Sequence, residues 1–584
     1  MSGYTIHFLY NLFNMNPEIL CERFFIPEHR KIPLYNQSEK IWNYNKQTIR
    51  SIDSNTPLSN FDIIAFTLQY EIDYLNVLWV IDSLGIPFFV KERIFNQKNE
   101  NNLFPLLIAG GPVLKSNPLA MLPFIDLLIV GDFECIYEDF INILIQNNES
   151  IHNFNQNCVR FIINMLKSKL EINNSLNLNN SNDIIIPELI KLPNIIISFF
   201  TLIYLEYFEK KKFNNSFESD SLIKYLESYL NINLFNNLEY LFDKLKYFPI
   251  KQVFLEDLSN SPPSLRQIIP EFEDPSIELI FGKSLLIESD RGCPFKCNFC
   301  ITGHLYGNFR IRNEKNIKEV IDNGLIQTPV SKITFISSSI LSNPNISNIF
   351  KYLISRKISF TVPSIRIDLL NQELLDLIYD GGMRSLTIAP ETGSDRLRKI
   401  INKNITNNQI IEKIKLIFKK DFNGLKLYFL IGLPEENFED IQAIINLIKD
   451  INNEIQKQNL IKKINIRISI NIFIPKLQTP FGNYLQNFED MKMTYLHNIS
   501  NNLAKELKKF KNINVEIMDP KTAFIQCFLS QIDESFGNIL YEFYVGGGKF
   551  SVLKKIIIEY KDKFERFFDE NGYNERISKI KSIL

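Results

Sequence analysis

The sequence predicts an α/β protein: a doubly wound N-terminal domain, a partial β/α barrel of six strands, and a small C-terminal α/β extension. Three observations predict it. Short apolar segments ending in glycine turns occupy the first part of the chain, at 62–66, 105–109 and 125–130. From about 280 a strand–helix rhythm becomes regular. Three cysteines (Cys293, Cys297 and Cys300) directly follow the first strand of that rhythm. A length of 584 residues favours several domains over one.

In the N-terminal part, the strand at 62–66 leads to a helical segment at 74–84, closed by Gly85 and Pro87. The strand at 105–109 runs into Gly110-Gly111-Pro112, and that at 125–130 breaks at Gly131-Asp132. Such strands suit a parallel sheet whose ligands sit beyond the strand C-termini. The glycines would let backbone approach a ligand closely. Residues 146–250 carry no motif. Asn-rich stretches such as 173–182 alternate there with apolar helical segments, as in an insertion or linker. Its most hydrophobic run, 195–205, is shorter than the about 20 residues a bilayer span needs and reads as a buried helix. A short segment at 254–258 and the loop Ser261-Pro-Pro-Ser264 lead into the barrel.

The barrel strands are expected at 284–289, 332–337, 360–366, 385–391, 425–431 and 467–474. Helices between them carry apolar residues at helical spacing, such as Ile410, Ile414, Ile417 and Phe418, or Ile441, Ile444, Ile445 and Ile448. Parallel strands covered on both faces should be apolar throughout. Here Ile464, Ile466, Ile468, Ile470, Ile472 and Ile474 alternate with Asn465, Arg467, Ser469, Asn471 and Phe473. Ser385, Thr387 and Glu391 share one face of their strand, as do Lys426 and Tyr428, and Ser364 and Arg366. Buried polar groups cost stability unless paired. A lumen lined to hold a polar cofactor explains them, with an open sheet wet on one face as the alternative. Catalytic residues of a barrel gather at the C-terminal strand ends. The cysteines, Glu391-Thr-Gly-Ser394 and Gly432-Leu-Pro-Glu435 all fall on that rim. The expected segments are 1–145, 146–250, 251–495 and 496–584. In the last, Leu496, Ile499, Leu503 and Leu507 form one apolar stripe of an amphipathic helix, while Lys505, Lys508 and Lys509 could serve partner contacts.

Composition narrows the function classes. The chain is 45% hydrophobic and 22% charged, with net charge −1, which argues against broad electrostatic nucleic-acid binding. Seven cysteines, unevenly placed, do not form a disulfide framework. No secretory signal opens the chain, and no segment is long enough for a membrane span. A reducing cytoplasm is the expected compartment.

The spacing C-x3-C-x2-C of Cys293, Cys297 and Cys300 can hold three corners of a [4Fe–4S] cube, leaving one iron without a protein ligand. An open iron is a reaction site. A zinc site of Cys3His type, using His304, is the competing reading, although zinc usually takes paired ligands separated by a longer loop. A non-catalytic iron–sulfur or zinc scaffold is the opposing class.

With Phe299 before the last cysteine, the motif resembles the radical S-adenosylmethionine signature. Ser385-Leu-Thr-Ile-Ala-Pro-Glu-Thr-Gly-Ser-Asp-Arg-Leu-Arg398, Leu427–Glu435, Phe61–Tyr70 and Ile108–Pro112 resemble members carrying an N-terminal cobalamin (B12)-binding-type, Rossmann-like domain. Asp519–Gln526 resembles their C-terminal extension. The resemblance implies reductive cleavage of S-adenosylmethionine to a 5′-deoxyadenosyl radical, an electron donor of flavodoxin or ferredoxin type, and cobalamin-dependent methyl transfer. Methylthiolation or another radical modification of RNA or protein is the alternative. It implies metal ligation by the three cysteines and cofactor contacts by Phe299, Ser364, Arg366, Glu391, Ser394 and Gly432. Thr67, Gln69, Gly110, Gly111 and Gly131 would serve the N-terminal domain. Three departures stand out. Ser337-Ser-Ser339 replaces a Gly-Gly-Glu-like turn, and no D-x-H-x-x-G offers a histidine to cobalt, His7 and His29 lying in no such context. The strand that should precede the helix resembled by 4–13 is absent from this sequence, so either the chain is truncated or its cobalamin site is incomplete.

Overall fold

The computed structural model describes residues 3–26, 35–36, 41–42, 49–95, 104–170, 185–213, 221–230, 234–269, 281–457, 464–484 and 490–584. The chain divides into two compact units. One is Glu22–Phe254 with Leu529–Leu584; the other is Met1–Cys21 with Leu255–Phe528. Residues 496–584, read from the sequence as one extension, are thus shared between the two.

The first unit is built on a sheet ordered β1 (Ile63–Thr67), β2 (Leu106–Gly110), β3 (Leu127–Ile129) and β4 (Ile195–Ile197). The first three strands are parallel and β4 is antiparallel to β3. Leu106, Leu107, Ile108 and Ala109 are all buried, as expected of a strand covered on both faces. The reading of 195–205 as one buried helix is corrected. Ile195, Ile196 and Ile197 form β4, and the helix starts at Ser198 and runs to Phe213. Three consecutive β-branched side chains, stiff at χ1, favour the pleated conformation. The described part of 146–250 therefore completes this sheet. The Asn-rich stretch 173–182 lies outside the described residues. The C-terminal helices fasten onto the same unit. Asn117 Nδ2 donates to Ser530 O and Ile532 O (3.2 and 2.7 Å), and Tyr544 donates to Asp82 (2.7 Å).

The second unit carries β5 (Leu285–Glu288), β6 (Lys332–Ile336), β7 (Ser359–Thr361), β8 (Ser385–Glu391), β9 (Gly424–Ile431), β10 (Asn465–Ile472) and β11 (Ile513–Ile517). They form two parallel sheets, ordered β7-β6-β5 and β8-β9-β10-β11, joined by a parallel bridge between Ile365 and Ile388. All six expected strands are present. The third is shorter than expected because Pro363, which has no N–H, follows it closely. β11 was not expected from the sequence. Helices over Glu314–Gln327, Ile346–Ser355, Asn407–Lys419, Phe438–Lys457 and Asp490–Leu507 pack on one side of the sheets. The stripe Leu496, Ile499, Leu503 and Leu507 is buried in that layer. Each such side chain contributes roughly 1.5–3 kcal/mol by leaving water. The opposite side is polar. In β10, Ile466, Ile468, Ile470 and Ile472 are buried, while Asn465, Arg467 and Asn471 are exposed.

The helix Tyr4–Phe13 belongs to this second unit, where Asn11 Nδ2 donates to Ser264 Oγ (2.8 Å) and Arg266 O (2.7 Å). The edge of β5 is covered by Gln267, whose side chain accepts from Leu286 N (2.9 Å) and donates to Leu286 O (2.7 Å). Among the described residues no helix is long and apolar enough to cross a membrane.

Candidate functional site

The cysteine loop leaves the C-terminal end of β5 and is closed at its base where Asp290–Arg291 pairs antiparallel with Arg310–Ile311. Backbone bonds hold the loop. Asn298 N donates to Ile401 O (3.0 Å) and its Nδ2 to Ile400 O (2.8 Å); Asn402 Nδ2 donates to Lys296 O (2.7 Å). Phe481 N donates to Asn298 O (3.2 Å), so the segment following β10 also latches onto the loop. Phe299 packs with Leu397, Ile401, Leu433 and Phe473 beneath it.

Cys297 is buried, and Cys293 and Cys300 are partly exposed. Burial pushes the Cys293 and Cys297 thiols up. Lys403 opposes this at Cys297, and Arg366 opposes it at both. Arg366 lies flat on the Phe295 ring at 3.6 Å and makes a two-pronged pair with Asp368 (3.1 and 2.9 Å). Lys403 pairs with Glu391 at 2.9 Å, both largely buried. Glu391 sits at φ +66°, an uncommon conformation for a residue with a side chain, at the end of β8. Two cations therefore flank thiols that must ionise to bind metal.

The three thiols are the donor set on this loop, the number that a [4Fe–4S] cube with one open iron takes. His304 Nε2 is 3.1 Å from Cys297 O, engaged with the loop backbone. Among the described residues no three His, Cys, Asp or Glu side chains converge on a position for a single ion.

Asp290 locks the neighbouring strand end. Its carboxylate, 3% exposed, accepts from Ser289 Oγ (2.8 Å), Ser337 Oγ, Ser338 N (2.9 Å) and Ser339 N (3.3 Å). Burial raises its pKa, against those four bonds. The turn Ser337-Ser-Ser339 at the end of β6 is thus shaped by an acid from the strand beside it.

The remaining expected residues divide. Ser394 is occupied: its Oγ accepts from Leu397 N (3.1 Å), capping the helix Asp395–Ile400, and bonds to buried Asp440. Gly432, at φ +77°, donates its N–H to Glu436 Oε1 (2.8 Å), and an added Cβ would lie 3.0 Å from Leu496. Ser364 is exposed. Thr67, Gln69, Gly110, Gly111 and Gly131 lie in the other unit. Gln69 N donates to Asp73, which starts a helix (3.0 Å). Thr67 pairs with Gly110 in the sheet. A Cβ on Gly111 would lie 2.3 Å from Leu68 O, and one on Gly131 would lie 2.0 Å from the Asn194 side chain. At both glycines the lack of a side chain lets another part of the chain come close. His7 is buried within its helix, and His29 lies outside the described residues.

Sequence reasoning missed Asp290, Asn298 and Lys403. Asp290 alone had a signal, standing three residues before Cys293.

Residues 287–448 match the family described as the radical SAM superfamily, and residues 5–161 match the one described as radical SAM proteins, N-terminal. An uncharacterised protein of Methanocaldococcus jannaschii is 26% identical over 511 residues, covering 87% of this chain and 86% of that protein. An uncharacterised methyltransferase of Pyrococcus horikoshii is 26% identical over 33% of this chain and 44% of its own length. The structure of the radical S-adenosylmethionine methyltransferase TsrM from Kitasatospora setae, with cobalamin and a [4Fe–4S] cluster bound, superposes with a TM-score of 0.41. Its identity is 12%, over 73% of this chain and 66% of that chain.

Proposed function

We propose, on the premise that this chain belongs to the radical S-adenosylmethionine superfamily, that Cys293, Cys297 and Cys300 ligate three irons of a [4Fe–4S] cluster at the barrel rim. We propose further that the reaction serves methyl transfer. Held by these three cysteines, such a cluster would supply the electron for reductive cleavage of bound S-adenosylmethionine. The observation that carries the site is the loop itself: three thiols fastened by Asn298 and Asn402, with His304 held on the loop backbone and Lys403 and Arg366 alongside.

The chain's own residues then have separable tasks. Lys403 and Arg366 favour the thiolate form of the ligands by their charge. Lys403 also fixes the Glu391 carboxylate at the end of β8, where the resemblance places contacts to the cofactor. Phe299 and its apolar neighbours keep water from one side of the loop. Asp290 fixes the β6 turn beside it. A flavodoxin- or ferredoxin-type donor would reduce the cluster.

Methyl transfer is supported by the named activity of the Pyrococcus relative. Cobalamin rests on the resemblance of the N-terminal segments 61–70 and 108–112. No step is therefore routed through it.

Anaerobic reconstitution should give about four irons per chain and dithionite-dependent 5′-deoxyadenosine. Stoichiometric zinc without cleavage rejects the site. Mass spectrometry of products formed with an isotopically labelled methyl donor tests the transfer; an unlabelled product rejects it. Equilibrium dialysis of the anaerobic protein against cobalamin decides that layer separately.

A further inference from the structure

The polar side of the half-barrel carries two cations that have no acidic partner among the described residues. Lys426 of β9 and Arg467 of β10 are register partners, on the side opposite the helices. Partners on adjacent strands stand about 4.8 Å apart. Arg467 is exposed and forms no hydrogen bond or ion pair among the described residues; Lys426 has only the Tyr428 ring, 4.9 Å from its Nζ. Their row continues through Thr387 on β8 and Asn514 on β11, with no acid in it. On that side Glu516 of β11 pairs in register with Ser469, two residues further along, and makes no ion pair among the described residues, while Glu391 of β8 is taken by Lys403. Other cations of this unit do have acids: Arg291 pairs with Glu288, Arg366 with Asp368 and Lys403 with Glu391.

Like charges directly opposite one another across a strand pair are destabilising. A partnerless pair on the lumen side points to a counter-anion supplied by a ligand. The row also lies away from the rim. Lys426 lies five residues before the end of β9 at Ile431, roughly 15 Å from the rim that bears the cysteines at the usual rise per residue.

We propose that Lys426 and Arg467 form a substrate subsite for an oxyanion, a phosphate or carboxylate group, held by the Arg fork and the Lys point charge. The hydroxyl of Thr387 adds a neutral donor to the same row. This deepens the proposed function and rests on its reading of the polar side as the lumen. A substrate anchored here by its charged end would direct its other end towards the rim.

The test uses the full chain with its cluster reconstituted and oxidised. Binding of inorganic phosphate is followed by 31P line broadening, and binding of acetate by 13C line broadening. Saturable binding of either probe is expected, with phosphate preferred for a phosphorylated substrate and acetate for a carboxylic acid. Arg467→Gln and Lys426→Gln should each weaken it at least tenfold. Lys449→Gln, an exposed position on the helix Phe438–Lys457, should leave it unchanged. Binding that is absent, or equal in wild type and both variants, overturns the subsite. Displacement of the probe by saturating S-adenosylmethionine also overturns it, since the cations would then hold the cofactor. Iron content and 5′-deoxyadenosine formation are measured on the wild type apart from this, so failure of the radical reading remains distinguishable.

Discussion

Replacing Asp290 by alanine tests whether the cysteine loop and the serine turn of β6 are one mechanical unit. Four donors converge on this carboxylate. Ser339 N keeps a second partner, Ser337 Oγ at 3.1 Å, and the two hydroxyls can rotate. Ser338 N, at 2.9 Å from Asp290, is left with no acceptor. An orphaned amide costs about 1–3 kcal/mol, and hydrogen bonds to a charged group contribute about 1.5–3 kcal/mol each. Against this stands relief from burying the acid, whose pKa burial has raised. The net loss should be about 3 kcal/mol, and at about 2–4 °C per kcal/mol for a body of this size the melting midpoint falls by roughly 6–12 °C. Asp290→Asn retains an oxygen for the two amides, while its Nδ2 can donate to a rotated serine hydroxyl. It should therefore lose less than half as much. The assay is thermal unfolding of the iron-free protein, followed by iron content after anaerobic reconstitution. An Asp290→Ala protein that melts with wild type and reconstitutes equally would refute the coupling.

Alanine at any one of Cys293, Cys297 or Cys300 should abolish retention of the cluster, checked by iron analysis and electron paramagnetic resonance of the reduced protein. Lys403→Met leaves the Glu391 carboxylate buried without its partner. It should destabilise the barrel unit by about 3 kcal/mol, near the lower end for a broken buried pair, with Lys403→Arg restoring most of it in denaturant titrations. In the other unit, burial and the neighbouring Asp533 push Glu534 up to about 8. The folded protein then keeps a proton that the unfolded chain releases near 4.5, so this stabilisation is present below that value and is lost as pH rises towards 8. Glu534→Gln should gain on wild type in melting temperature between pH 5 and 8 and hold level above. The opposite trend would show that the contact with Lys579 (2.8 Å) dominates.

What could be read from the sequence was what chemistry demands of particular atoms. Three thiols within eight residues constrain the metal directly. The alternation of Ile466 to Ile472 with Asn465 to Asn471 constrains the strand to two unlike faces. Glycine is a weaker sign, because it reports that something approaches the backbone without saying what. At Gly111 and Gly131 that something is Leu68 and Asn194. Ser394 is a similar case: a serine at the end of a strand serves a ligand or a helix equally well, and here it caps Asp395–Ile400.

The supports of the site were hidden for a different reason. Asn298, Lys403 and Asp290 are ordinary residues whose roles exist only once distant segments meet, as when Lys403 reaches Glu391 or Asp290 reaches Ser338. The same logic bears on the lumen. Lys426 and Arg467 stand out in the sequence only as polar members of alternating strands, and each alone would be a solvated cation. Parallel register makes them neighbours, and the row through Thr387 and Asn514 gives them no acid. A fold can afford that repulsion most easily where an anion arrives during turnover. The metal ligands are thus set by local spacing, whereas substrate choice would be set by register, and only the first can be read along the chain.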